Sequence, residues 1–301
     1  MSRRSVVIFA VIVSIVSCSS IPPRGCGYRN PDGIGFKISN GLVHETEYGE
    51  FPWMTAVLKK EQLKDREINV YQCGGSLIHP QVVLTSANCT QGIEAKIMMV
   101  RAGEWDTQTK AELYPDQDRG VNEIVIHKDF NNSSLFDNIA LLFLTKPFQI
   151  EENIGPICLP PADSTFDSAH CFVTGWCRNS LDGKRKYEVI LQKTNRSVIP
   201  RDTCQSTLRT TSLGENFELH QSFICAGGEA GKDTCICDKG SPMVCPIKGT
   251  KDRYYQAGIF SSGIVACGDG HPRIFSSVSF LRPWIDEQLK SRMIDSSYFT
   301  A

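Results

Sequence analysis

Short apolar runs separated by turn residues dominate the chain from about residue 50 onward. Trp53 to Leu58, Gly75 to Ile78, Val82 to Leu84, Ile97 to Val100, Ile139 to Leu144, Cys171 to Trp176 and Tyr255 to Phe260 are each brief, and valine and isoleucine are frequent in them. Runs this short, bounded by turn residues, read as strands, because a helix needs about ten residues in a 3.6-residue period to bury one face. The period changes once. Val278, Leu281, Ile285 and Leu289 are spaced three or four apart, which predicts an amphipathic helix over Val278 to Lys290. Pro283 fits that helix only in its first turn, where the missing N–H costs nothing. Asp295 to Ala301 is polar and predicts a frayed end. No internal repeat or low-complexity tract interrupts the pattern.

The first part of the chain follows a different rule. Arg3 and Arg4 precede an apolar run from Val6 to Val16 that only Ser14 breaks, and Ser17, Cys18, Ser19 and Ser20 follow it. This reads as a secretory signal over residues 1–19, shorter than the roughly 20 apolar residues a spanning helix needs. Ile15-Val16-Ser17-Cys18 also resembles a bacterial lipidation site, a second reading. Residues 20–37 are rich in Gly, Asn and Pro and read as an extended linker. They lead to a large domain over 38–292 and a polar tail over 293–301.

Composition narrows the function classes. Hydrophobic residues make up 41% of 301, enough for a sizeable core. A net charge of −1 gives no general electrostatic basis for nucleic acid or an anionic membrane as partner. No later segment is long and apolar enough to span a membrane. Of 13 cysteines, Cys18 leaves with the signal, and the even remainder reads as the disulfide framework of a secreted, extracellular protein. Neither Cys-x-x-Cys nor a His-x3-5-His spacing occurs, so no metal or other cofactor is expected.

The runs sit inside longer motifs. In chain order these are Gly49-Glu50-Phe51-Pro52-Trp53-Met54, Cys73-Gly74-Gly75-Ser76-Leu77-Ile78, Asn138-Ile139-Ala140-Leu141-Leu142, Pro156-Ile157-Cys158-Leu159-Pro160 and Val173-Thr174-Gly175-Trp176. Cys235-Ile236-Cys237-Asp238-Lys239-Gly240-Ser241-Pro242-Met243-Val244-Cys245 follows them. Across about residues 38 to 290 they resemble the trypsin-like secreted serine proteases. The resemblance implies an all-β, chymotrypsin-like fold: two packed six-stranded antiparallel barrels with a cleft between them, plus the C-terminal helix.

The same resemblance locates the catalytic positions, and each is substituted. The nucleophilic serine of the pattern Cys-x-Gly-Asp-Ser-Gly-Gly-Pro is Lys239. The histidine of Thr-Ala-Ala-His-Cys is Asn88, within Thr85-Ser86-Ala87-Asn88-Cys89. The aspartate before Ile-Ala-Leu-Leu is Asn138. An ammonium is no substitute for an activated hydroxyl, and an amide takes no proton near neutral pH. Asp137 is one residue off, which on an extended segment turns it to the other face. A relocated centre would need Ser241 and a histidine, but His79, His127 and His170 lie in segments that do not face the cleft in this family. Lys239 as a nucleophilic amine is opposed by Asp238, which favours the charged, inert form.

Other functional features also depart from the family. In the specificity pocket Asp233 is kept, but the wall of Pro-Gly-Val-Tyr is Pro272-Arg273-Ile274-Phe275, and the tryptophan of Ser-Trp-Gly is Ser262. Arg273 is expected to fill the pocket and pair with Asp233; the alternative has it swung to solvent. Two glycines that lie near each other in the fold, one of them the oxyanion donor, are Cys177 and Cys237, which are expected to bond. The rest then pair as the family pairs them: Cys73–Cys89, Cys171–Cys245, Cys204–Cys225, Cys235–Cys267 and Cys26–Cys158. The alternative is two free thiols. In the family a cleavage-freed N-terminus pairs with the Asp before the nucleophile. Here Lys37-Ile38-Ser39-Asn40-Gly41 is the nearest match, Arg24 is a second possible cut site, and Lys239 could neutralise Asp238 instead.

Sequons occur at Asn88, Asn131, Asn132 and Asn195, and glycans are expected at Asn132 and Asn195. Lys184-Arg185-Lys186 reads as a solvated turn, with docking of an acidic partner as the sharper reading. Arg101-Ala102-Gly103-Glu104-Trp105-Asp106, Ile126-His127-Lys128-Asp129-Phe130 and Cys26-Gly27-Tyr28-Arg29-Asn30-Pro31 resemble arthropod clip-domain serine protease homologues, catalytically dead cofactors of proteolytic cascades that include prophenoloxidase activation. Residues 20–37 are too short for a cystine-stapled clip domain. The resemblance implies a non-catalytic partner of secreted proteases, zymogens or inhibitors. A structural or reproductive-fluid protein and a residual endopeptidase are the competing readings.

Overall fold

The computed structural model describes residues 25–35, 44–64, 66–176, 178–179, 186–228, 235–236, 238–262 and 270–301, with backbone only at 178–179, 186–187, 235–236 and 262. The elements run β1 (Met54–Leu63), β2 (Arg66–His79), β3 (Val82–Thr85), α1 (Ala87–Thr90), β4 (Met98–Ala102), β5 (Gln117–Ile126) and β6 (Ala140–Leu144). Then come β7 (His170–Gly175), β8 (Arg178–Asn179), β9 (Lys186–Tyr187), β10 (Gln192–Ile199), α2 (Arg201–Arg209), β11 (Phe223–Ala226) and β12 (Cys235–Ile236). The chain ends with β13 (Pro242–Pro246), β14 (Tyr254–Ser262), β15 (Arg273–Ser277) and α3 (Val278–Ser291). Strands β1-β2-β3-β6-β5-β4 close one six-stranded barrel and β10-β11-β15-β14-β13-β7 a second, while β12-β8-β9 form a small separate sheet. All of their pairings are antiparallel.

Strand β6 shows how the apolar runs encode this arrangement. All five of its residues are buried. Leu142 and Leu144 join Val57, Leu77, Val83 and Val100 inside the first barrel. Leu141 and Phe143 point the opposite way, into a cluster with Leu281, Ile285 and Leu289 of α3. Alternate side chains of a strand point to opposite faces, and with both faces covered the run is apolar throughout. Val173, Val198, Met243, Ala257 and Phe275 fill the second barrel in the same manner.

Among the described residues, four disulfides join Cys26–Cys158, Cys73–Cys89, Cys171–Cys245 and Cys204–Cys225. The expected Cys177–Cys237 and Cys235–Cys267 pairs fall on side chains outside the described residues.

Two expectations about the C-terminus need correction. Pro283 lies inside α3, past its first turn. The ring costs about 3 kcal/mol in a helix interior, which burial of Val278, Leu281, Ile285 and Leu289 offsets. The tail is not frayed either. Phe299 is 1% exposed, its carbonyl accepts the Leu159 N–H at 2.9 Å, and the Tyr298 ring meets His79 edge-on at 4.7 Å. Two aromatic residues in a polar stretch are enough to dock it.

Candidate functional site

Asn88 lies in α1 directly after β3, Asn138 lies just before β6, and Lys239 lies in the turn between β12 and β13. The backbone brings all three to one place, beside Phe260 and Ser261 of β14. Asn88 Nδ2 donates to the Ser261 carbonyl at 3.3 Å, and the Gly240 N–H donates to the Phe260 carbonyl at 2.9 Å. Across the two barrels, the Gly74 N–H donates to the carbonyl of Lys239 at 2.9 Å. Gly240 is obligatory in this turn. Its φ is +79°, and a Cβ there would stand 2.2 Å from Thr85 Oγ1 and 2.3 Å from the Gly74 carbonyl.

The two asparagines are fixed by a directional ring of hydrogen bonds. The Asn88 backbone N–H donates to Asn138 Oδ1 at 2.9 Å. Asn138 Nδ2 donates to Ser261 Oγ at 3.1 Å. The single proton of Ser276 Oγ goes to the Asn138 carbonyl at 2.9 Å, so Ser261 Oγ is the donor in its 2.7 Å contact with Ser276 Oγ. Asn138 is fully buried. The set carries no ionisable group, so no proton changes hands along it.

Lys239 is exposed, whereas the Asp238 carboxylate is buried. Asp238 Oδ2 accepts a hydrogen bond from Tyr71 Oη at 2.9 Å, a contact 167 residues apart in sequence. The suggestion that Lys239 itself neutralises Asp238 is therefore corrected: among the described residues no ion pair joins them, and the first barrel supplies a donor through β2. The Tyr71 ring is held edge-on to Trp176 at 6.0 Å. Nothing in the sequence marked Tyr71; an aromatic residue two positions before a motif cysteine is no signal without the fold.

Ser241 Oγ has no hydrogen-bond partner among the described residues. It is fully buried, wedged where a Cβ on Gly74 or Gly175 would stand 2.6 or 2.7 Å from it. The histidines considered for a relocated centre are elsewhere. His79 packs on Tyr298, His127 on Trp284, and His170 Nδ1 bonds Ser197 Oγ at 3.0 Å. Asp137 turns away through a φ of +51°, with its N–H on Ser222 Oγ.

Arg273 opens β15 and is 6% exposed, so it is not swung to solvent. Asp233, and the side chain of Ser262, lie outside the described residues. No group of three or more His, Cys, Asp or Glu side chains among the described residues could hold a metal ion. The acidic residues Glu104, Asp116 and Asp118 are each paired internally with Arg101 or Lys110, and burial raises the Glu104 pKa above its ordinary value.

The sequence profile described as Trypsin matches residues 42–285. Phenoloxidase-activating factor 2 of Galleria mellonella is 49% identical over 282 residues, covering 92% of this chain and 92% of that protein. Inactive CLIP domain-containing serine protease A8 of Anopheles gambiae is 33% identical over 267 residues, covering 88% and 72%. Its A28 counterpart from the same species is 35% identical over 278 residues, covering 91% and 70%. With both barrels, their motifs and relatives aligned over nearly the whole length, the chain belongs to the trypsin family.

Proposed function

We propose that this chain is a secreted, non-catalytic serine protease homologue that serves as a binding partner or cofactor in an extracellular proteolytic cascade of the phenoloxidase-activating type. The observation that carries the reading is the closed ring around Asn138. Where a hydrolase of this family needs a charge that orients a base, the chain has an amide bonded through two serines to its own carbonyl. Lys239 adds an exposed cation where a nucleophile is needed. Burial of Arg273 supports a specificity pocket filled from within. The names of the relatives support the cascade setting. Four disulfides and the leader-like N-terminus support secretion.

Glycosylation at Asn132 and Asn195 belongs to the same reading. Both are exposed, whereas Asn131 Oδ1 is engaged by the N–H groups of Ser133 and Ser134 at 2.9 and 3.0 Å.

Two measurements test the function. A fluorophosphonate probe is expected to leave the chain unlabelled, and covalent labelling would overturn the non-catalytic reading. In a reconstituted assay with prophenoloxidase and an activating protease, adding the chain is expected to raise phenoloxidase activity. An unchanged yield over a full titration would remove the cofactor role.

A further inference from the structure

We propose that the C-terminal tail is a strap that shields the Cys26–Cys158 disulfide from thiols, and so controls how long the N-terminal segment stays covalently joined to the barrels. This role is independent of the cofactor reading. The bond links residues 132 positions apart, and both cysteines are fully buried. Gly25 and Tyr28, close by in the chain, are exposed, so the burial of Cys26 comes from what covers it.

One wall of the enclosure is framework. The Gly27 N–H donates to the Pro156 carbonyl at 2.8 Å, and the Tyr254 N–H donates to the Gly27 carbonyl at 2.9 Å. A Cβ on Gly27 would stand 2.9 Å from Cys158 Sγ. Arg253 Nε donates to the Cys26 carbonyl at 2.9 Å, and its Nη2 lies 3.7 Å from Cys26 Sγ. Tyr254 opens β14, a strand of the second barrel, so this wall moves only with that barrel.

The other wall is the chain end. The Thr300 carbonyl oxygen stands 3.4 Å from Cys26 Sγ; a disulfide sulfur carries no proton, so this is a packing contact. The Phe299 carbonyl accepts the N–H of Leu159, the neighbour of Cys158, at 2.9 Å. Arg282 lies 5.4 Å from the centre of the buried Phe299 ring and donates to the Leu159 and Pro160 carbonyls at 3.0 and 2.7 Å. A single 3-10 turn over Ser296–Tyr298, capped by Asp295, leads into this seat. A chain end anchored by one ring and a few contacts lifts locally far more readily than a barrel strand opens. Reduction by a dithiol starts when its thiolate attacks one sulfur, forming a mixed disulfide and releasing the other cysteine as a thiolate. The second thiol of the reagent then displaces the remaining cysteine, and the reagent leaves as a cyclic disulfide with the two electrons supplied. The thiolate has to touch sulfur, so attack waits for the tail to lift.

The test adds dithiothreitol to the folded, secreted chain, alkylates samples over time and follows each bond by peptide mass. Phe299→Ala is expected to open Cys26–Cys158 about 10- to 100-fold faster, because losing a buried phenyl ring raises the fraction of lifted tail. Cys171–Cys245, packed inside the second barrel, is the internal control and is expected to keep its rate. Acceleration confined to Cys26–Cys158 supports the strap. An unchanged rate at Cys26–Cys158, or an equal rise at Cys171–Cys245, overturns it. If Phe299→Ala is not secreted, a chain ending at Phe299 takes away the Thr300 carbonyl and keeps the ring. It is expected to accelerate the same bond to a smaller extent, and no acceleration there overturns the proposal.

Discussion

At the scale of single residues, Asn138 is held by donors and acceptors that suit an amide and not a carboxylate. Its Nδ2 donates into the Ser261–Ser276 chain, which returns a proton to the Asn138 carbonyl. In Asn138→Asp that donor becomes an acceptor, the ring loses its direction, and a charge is buried. The variant is expected to lose about 1–3 kcal/mol of stability in urea unfolding; an unchanged midpoint would show that the ring has no net worth. Ser241 offers a second prediction. Its hydroxyl fills the space beside Gly175, so Gly175→Ala is expected to cost about 1–3 kcal/mol by overpacking. Ser241→Gly removes the opposing atom and should rescue much of that loss. Simple additivity in the double-mutant cycle would refute the contact.

At the scale of elements, the first barrel clasps the C-terminal helix and tail with two half-buried histidines. His79 meets Tyr298 at 4.7 Å and His127 meets Trp284 at 5.0 Å. Each Nδ1 accepts a backbone N–H, from Gln81 and Asp129 respectively, which requires the neutral ring. Burial holds both below the ordinary imidazole value near 6.5, against the attraction of Asp295 for His79 and of Asp137 and Asp129 for His127; Lys128 reinforces the shift at His127. The unfolded chain therefore binds more protons just below pH 6.5, and stability falls as pH drops through that point towards the folded values. The melting temperature is expected to decline between about pH 7.5 and 5.5, and less steeply in His79→Gln/His127→Gln. Equal slopes would exclude the clasp as a source. Sequence pattern placed this helix correctly because its apolar face repeats, but not the tail, whose docking depends on two aromatic residues and no period.

For the whole molecule, what was legible follows from what short motifs can carry. Their resemblance to a known family pointed to two barrels and to Asn88, Asn138 and Lys239, which the structure brings together. It did not give Tyr71 on Asp238, or the role of Glu50, since both are long-range contacts of single residues. Glu50 sits in the motif before β1 as the one charge among apolar neighbours, and its side chain is fully buried. Arg29, from the N-terminal segment that Cys26–Cys158 tethers, donates twice to Oε1. Lys193 of β10 donates to Oε2 at 2.7 Å, and so does the Glu47 N–H at 2.8 Å. The Arg29 guanidinium also lies 4.3 Å from the centre of the Phe172 ring on β7. One carboxylate thus joins the N-terminal segment, the first barrel and the second. Removing it leaves two cations facing each other with little access to water, the situation in which breaking a buried pair costs about 3–5 kcal/mol. Glu50→Ala is expected to lose that much in urea unfolding and to speed proteolysis within residues 25–35, where the segment loses its anchor. A loss below about 1 kcal/mol would place the cluster with ordinary surface pairs, and the tether would then rest on the disulfide alone.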